Sequence, residues 1–301
     1  MKIMVTGIGG VGGYIASILC ANHTDVTLIA RKKRKESLLK NGLVLHSDYF
    51  GEHRFQPAVT DDPARAGLQD VIFVCVKNYS LESALTAALP CIGPDTIVVL
   101  VLNGVDHSAV ARRIMTCGHI VDSTMYISAA YNEDYSISQF GKFARMYIGS
   151  DNEANNETVR AILDHEGLKC RIAPDISVEL WNKYITNCAY NVITTYYDST
   201  IGDAFAKPGG LEEFRTLLDE SYRVGKAAGV AVDPRLPSEI YERVSHQNDK
   251  STTSSLARDI RAGHESELET FSGYLVRTAH DLGLSIPLSE RFYKEIKSRI
   301  K

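Results

Sequence analysis

The sequence predicts an α/β first half followed by an all-α second half, and three observations carry that prediction. Up to about Pro174, apolar runs of strand length alternate with stretches of helical spacing. Beyond Pro174 strand signals largely stop, and apolar residues recur at helical spacing to the end. Between the first strand and the first helix stands Gly7-Ile8-Gly9-Gly10-Val11-Gly12, a GxGxxG turn in the one context that makes it informative. The first half is therefore expected to be a Rossmann-like dinucleotide-binding domain over 1–174, and the second a helical substrate and catalytic domain over 175–301.

Residues 2–6 read as the opening strand, Tyr14–Ala21 as a helix and Asp25–Ala30 as the second strand. Gly7 would permit the tight turn, Gly9 would let the backbone approach a pyrophosphate, and Gly12 would let helix and strand pack closely. The phosphates would sit on the free N–H groups of the helix N-terminus, with Ile8, Gly10 and Val11 completing the loop. At the end of the second strand, an NAD site usually carries a carboxylate for the ribose hydroxyl. Here Ala30 and Arg31 are followed by Lys32, Lys33, Arg34 and Lys35. Dense positive charge suits a 2′-phosphate, so NADP (NADPH) is the expected cofactor, with Arg31 gripping the phosphate and Lys33 to Lys35 read as a solvated helix start.

Val71–Val76 and Thr96–Leu102 are continuous apolar runs, as expected of strands buried on both faces. They terminate in Lys77 and Asn103-Gly104, at the strand ends where ligands bind in open α/β sheets. Each side chain either touches such a ligand or caps the sheet in water. A helix is expected over 105–115, strands at Ile120–Ala130 and Ala144–Ile148, and a hairpin-like excursion at Tyr131–Phe140 between them. Helix Asn156–His165 and strand Leu168–Ile172 complete the half.

The second half is expected to form helices at 176–197, 211–229, 237–248, 256–283 and 288–300. In the first of these, Trp181, Ile185, Cys188 and Val192 make an apolar stripe. Lys183, Asn187 and Asn191 fall four apart on the opposite side. Such a row is usually a solvated face. Yet Lys183 is the lone charge between Glu179 and Asp198, and Asn is a mediocre helix former, which favours a polar row placed in a cleft. The polar loop Ser251–Ser255 precedes the 256–283 helix, with Ser254 or Ser255 as its N-cap and Gly283 as its C-cap. Glu265, Glu267 and Glu269 are expected in that helix's second and third turns, and one of them near Lys183 would keep the ammonium charged.

The formal net charge of −4 gives no global pull toward nucleic acid. Six cysteines without CxxC pairing read as core residues of a reducing compartment. Nine histidines without metal-ligand spacing argue against zinc, and no metal is expected. Glycines interrupt the N-terminal apolar segment and no run of eighteen apolar residues occurs. The expectation is a cytoplasmic protein with no membrane partner.

Taken together, these motifs resemble the ketopantoate reductase (2-dehydropantoate 2-reductase) family over most of the chain. The resemblance matches Gly7, Gly9 and Gly12, the basic Arg31, the strand-closing Lys77 and the Asn103-Gly104 pair. It also matches the Trp-x-Lys-x-x-x-Asn-x-x-x-Asn segment at Trp181, Lys183, Asn187 and Asn191, and the Ser-Ser loop with its later Glu at Ser254-Ser255-Leu256, Asp259-Ile260 and Ser266-Glu267. It implies NADPH-dependent reduction of 2-dehydropantoate (ketopantoate) to pantoate, with Lys183 as proton donor and Glu267 holding Lys183 charged or contacting the nicotinamide ribose. Asn187, Asn191 and Ser255 would bind substrate, and Asn103 would sit between cofactor and substrate. Ala129 lies in the segment Ser128-Ala129-Ala130, where family members place a residue against the nicotinamide. Some members carry a further substrate-contacting Asn about ten residues beyond Asn191, where this chain has Ser199-Thr200-Ile201-Gly202. A reductase of another 2-keto acid or of an opine-type imine shares the architecture, and a non-catalytic NADP sensor is the reading from a different class. Apolar C-terminal helices would support a homodimer.

Overall fold

The computed structural model describes residues 1–247 and 249–300. Its chain divides into two units, Met1–Ile176 and a second beginning at Ser177.

The first unit is built on one ten-stranded sheet. Its central strands β1 (Ile3–Thr6), β6 (Val71–Val74) and β7 (Ile97–Leu100) are buried at every position, as continuous apolar runs require. With β2 (Val26–Ile29), β5 (Ala58–Thr60) and the first part of β8 (His119–Tyr131) they form a parallel set in the order β5-β2-β1-β6-β7-β8. β8 then pairs antiparallel with β9 (Ile137–Gly149), whose other edge is shared by β3 (Leu43–Ser47) and β10 (Lys169–Ile172), both parallel to it. The antiparallel β4 (Gly51–Phe55) closes that edge.

Alternation along the strands sends side chains into two cores. Ile3, Val5, Phe73 and Val99 meet Ile15, Ile18 and Leu19 of α1 (Gly10–Asn22) and Val159 and Ile162 of α5 (Glu153–Leu163) on one face. On the other face Met4, Ile72, Val74 and Val98 meet Leu81 and Leu85 of α3 (Leu81–Ala88) and Ala111 of α4 (His107–Ile114). A further helix, α2 (Lys32–Asn41), follows β2.

The second unit contains α6 (Ile176–Tyr196), α7 (Ile201–Phe205), α8 (Gly210–Ala227), α9 (Leu236–Ser245), α10 (Ser255–Arg261), α11 (Tyr274–Asp281) and α12 (Pro287–Arg299). The α6 stripe is core: Trp181, Ile185, Cys188 and Val192 are all buried. Each fully buried large apolar side chain contributes about 1.5–3 kcal/mol. Gly225 of α8 lies flat on the Trp181 ring, where a Cβ would come within 2.6 Å of it. A buried carboxylate, Glu220, accepts N–H bonds from Leu288 (3.1 Å) and Ser289 (2.8 Å) at the start of α12, where negative charge suits the helix end.

Several sequence expectations need correction. β6 and β7 end at Val74 and Leu100, so Lys77 and Asn103 stand a few residues into the following loops. The excursion 131–140 is mostly strand, and only 132–136 form the turn between β8 and β9. Residues 43–60 hold three strands that alternation alone does not announce. Helix 256–283 is not continuous. α10 stops at Arg261, and Gly263 adopts φ +67° while its N–H and that of His264 bond back to Ile260 and Asp259, a glycine C-cap. The chain re-enters helix through a single π turn, Glu269–Gly273, ahead of α11. Glu265 and Glu267 therefore lie in the break and Glu269 in the π turn. The helix expected over 237–248 ends at Ser245, and residue 248 lies outside the described residues.

Among the described residues, all six cysteines are free thiols and no helix is long and apolar enough to cross a membrane. No group of three or more His, Cys, Asp or Glu among them could hold a metal ion.

Candidate active site

The glycine turn has the geometry its composition requires. Gly7 adopts φ +87° with the Cys75–Val76 backbone against it, leaving a Cβ only 2.5 Å from Cys75 C. Gly12 faces the Gly7 carbonyl oxygen so closely that a Cβ would lie 2.0 Å from it, which fixes how near α1 comes to β1. Gly9, the N-cap of α1, has nothing within 4 Å of its would-be Cβ. Close packing behind and open space in front of a helix N-terminus fit a diphosphate on the first-turn N–H groups. Ala129 and Ala130 approach the loop through their backbone, 3.1 Å and 3.2 Å from the Cβ position of Gly10. They belong to strand β8, within the strand expected at Ile120–Ala130.

A cavity of about 270 Å3 opens beside this turn, lined by Gly7, Ile8, Ala30, Arg31, Arg34 and Ser80 among others. Arg31 is exposed and is the N-cap of α2. Arg34 departs from the expected solvated helix start: it is half-buried, its Nη1 donates to the Tyr135 carbonyl, and its guanidinium lies 4.9 Å from the Tyr131 ring centroid. Burial pulls its pKa down from the ordinary arginine value. The basic run is plain in the sequence, but nothing in it separates Arg34 from its neighbours. Lys77 and Asn103 are both half-buried beyond the carboxyl ends of the neighbouring parallel strands β6 and β7, as is the glycine turn beyond β1.

In the second unit one cluster gathers the residues singled out on α6. Lys183 and Asn187 are half-buried and Asn191 is 6% exposed, so the row is not a solvated face. Asn191 donates to the Asn187 Oδ1 at 3.3 Å, and its own Oδ1 lies 3.4 Å from Ser255 Oγ and Leu256 N. Ser255 is held there because Ser254 is the N-cap of α10, accepting from Ala257 N–H (3.1 Å), and Ser254 Oγ lies 2.8 Å from the buried Thr194 Oγ1. Thr194 was not singled out in the sequence; it sits one turn beyond Asn191.

Glu267 is 3% exposed and acts electrostatically on Lys183. The π turn that follows it is tied to α6, because the Thr270 and Phe271 carbonyls accept from Tyr184 Oη (2.7 Å) and Cys188 Sγ (3.0 Å). π turns recur at functional sites, and this one anchors the segment that carries Glu267. Burial lowers the Lys183 pKa to about 8, the Glu267 charge opposing that fall. A half-buried amine of this kind can donate a proton near neutral pH, with amide and hydroxyl groups beside it to bind an oxygen-rich substrate.

Residues 3–153 match the ketopantoate reductase PanE/ApbA family and residues 175–299 match its C-terminal counterpart. An uncharacterized oxidoreductase, YkpB, of Bacillus subtilis is 30% identical over 99% of this chain and 98% of its own. A 2-dehydropantoate 2-reductase of Mesorhizobium japonicum is 27% identical over 94% and 91%. Among solved structures, a PanE/ApbA family ketopantoate reductase from Ralstonia eutropha superposes with a TM-score of 0.90 at 23% identity, covering 99% and 98% of the two chains. D-mandelate dehydrogenase with NADH and anilino(oxo)acetate gives 0.89 at 19%, also covering 99% and 98%. Both halves of the sequence thus lead to the same place: the chain belongs to the ketopantoate reductase family of oxidoreductases.

Proposed function

We propose that this chain reduces 2-dehydropantoate to pantoate with NADPH, and that Lys183 is the proton donor. The observation that carries the reading is the cluster on α6: an amine brought to a pKa of about 8, a buried carboxylate acting on it, and two amides and a hydroxyl alongside. The glycine turn with Gly7, Ile8, Gly9, Gly10, Val11 and Gly12 would hold the pyrophosphate and Arg31 the 2′-phosphate, with Lys77, Asn103 and Ala129 nearer the reacting end. When bound, the dinucleotide supplies the hydride that the ketone carbon receives.

The protein's own part is to stabilise the ketone oxygen as negative charge grows there and to protonate it. Lys183 as ammonium does both, and a pKa near the working pH keeps the proton available yet transferable. Glu267 holds Lys183 in its charged form. Asn187 and Asn191, locked to one another, orient substrate oxygens, and Ser255 offers its hydroxyl to the carboxylate.

A second reading, reduction of a different 2-keto acid, is favoured by one observation. At the position where some family members present a further substrate Asn, Ile201 is fully buried with its N–H bonded to the Thr252 carbonyl, and the Thr200 hydroxyl caps α7. A hydroxylated substrate has no amide to meet there. NADPH oxidation with ketopantoate, 2-oxo-2-phenylacetate and branched 2-keto acids separates the two. Ketopantoate should have the highest kcat/KM. Preference for another acid would transfer the assignment to the second reading, and NADPH binding without turnover on any acid would contradict both.

A further inference from the structure

Arg34 presents a physical problem that the family reading leaves unsolved. Its Nε and Nη2 are buried and have no hydrogen-bond partner, although the same guanidinium donates Nη1 to the Tyr135 carbonyl and rests against Tyr131. A buried unsatisfied donor is costly, and more so when it is charged. Both aromatic residues belong to the β8–β9 hairpin, Tyr131 at the end of β8 and Tyr135 in the turn at φ +71°. The hairpin thus fixes the guanidinium through one edge and one face. The same side chain lines the cavity that Arg31, Ala30 and the glycine turn share. Arg34 also occupies the first turn of α2, whose N-terminus carries four consecutive basic residues and no acid. A dianion in that cavity would lie beside the Arg34 side chain and offset the repulsion between the basic run and the helix dipole.

We propose that Arg34, positioned by Tyr131 and the Tyr135 carbonyl, is a second determinant for a 2′-phosphorylated adenosine, so that the β8–β9 hairpin sets cofactor choice. The inference rests on the NADPH reading and adds to Arg31 a residue with a built support. Tyr131 is a positioning residue, since it acts by holding Arg34.

Calorimetric binding of adenosine 2′,5′-bisphosphate and of 5′-AMP to the full chain tests it without turnover. The wild type is expected to prefer the bisphosphate. Arg34→Met should shrink that preference about 10- to 100-fold, as loss of bonds to a charged group implies, and leave 5′-AMP affinity unchanged. Tyr131→Leu should give a smaller loss of the same selectivity, which a merely structural ring would not. A wild type that binds both ligands equally would overturn the NADPH reading and this inference together. A wild type that discriminates, with the preference retained in both variants or with 5′-AMP lost equally, would overturn the inference about Arg34 alone.

Discussion

An amine that must give up a proton works best when its pKa lies near the operating pH, and at Lys183 burial and Glu267 pull in opposite directions to reach about 8. In the proposed mechanism the protonated form is the donor, so kcat/KM for ketone reduction should be level below that value and fall as pH rises through it. Glu267 raises the Lys183 pKa, so Glu267→Gln should move the break to lower pH. A pH profile that keeps its break unmoved in Glu267→Gln would detach the carboxylate from this role. That the Lys183 row is not a solvated face was legible in the sequence, because a lone charge with two amides at helical spacing is unusual on a surface helix. Arg34 was not, because five consecutive basic residues look alike until the Tyr131 and Tyr135 contacts single one out. Thr194 was silent for a similar reason: its use depends on Ser254, which lies 60 residues away in sequence.

Among the elements, the glycine turn separates packing from binding in adjacent residues. Gly12→Ala would force a Cβ against the Gly7 carbonyl and Cys75, so it should cost about 1–3 kcal/mol of stability by overpacking, visible as a lowered Tm. Gly9→Ala meets nothing within 4 Å and should keep the wild-type Tm. It intrudes instead where a phosphate would approach, so NADPH affinity should fall about 10- to 100-fold, the worth of a backbone bond to a charged group. Equal Tm losses in both variants would show that the space in front of Gly9 is not reserved for a ligand. Buried strands such as β6 and β7 were readable because their apolar runs are unbroken. β4 was not, since Gly51–Phe55 alternates exposed and half-buried residues at a sheet edge and carries little hydrophobic signal. The break in helix 256–283 was missed because apolar residues recur at helical spacing on both sides of Gly263.

For the whole molecule, the sequence divided labour before the structure did: glycines, Arg31 and strand-end residues in the first unit, Lys183, Asn187, Asn191, Ser255 and Glu267 in the second. The structure gathers the second group on α6, α10 and the segment before the π turn, and packs the glycine turn as the motif demands. Family membership follows from matches to both halves, whereas the proposed substrate turns on a few side chains such as those around Ile201. The division of labour means that removing the amine should stop the chemistry and spare the cofactor. Steady-state reduction of ketopantoate by Lys183→Met, measured together with the Kd for NADPH, tests this most directly. The account predicts a fall in kcat of about 10²- to 10⁴-fold, the range for loss of a general acid, with the Kd essentially unchanged. Turnover near the wild-type rate in that variant would contradict it.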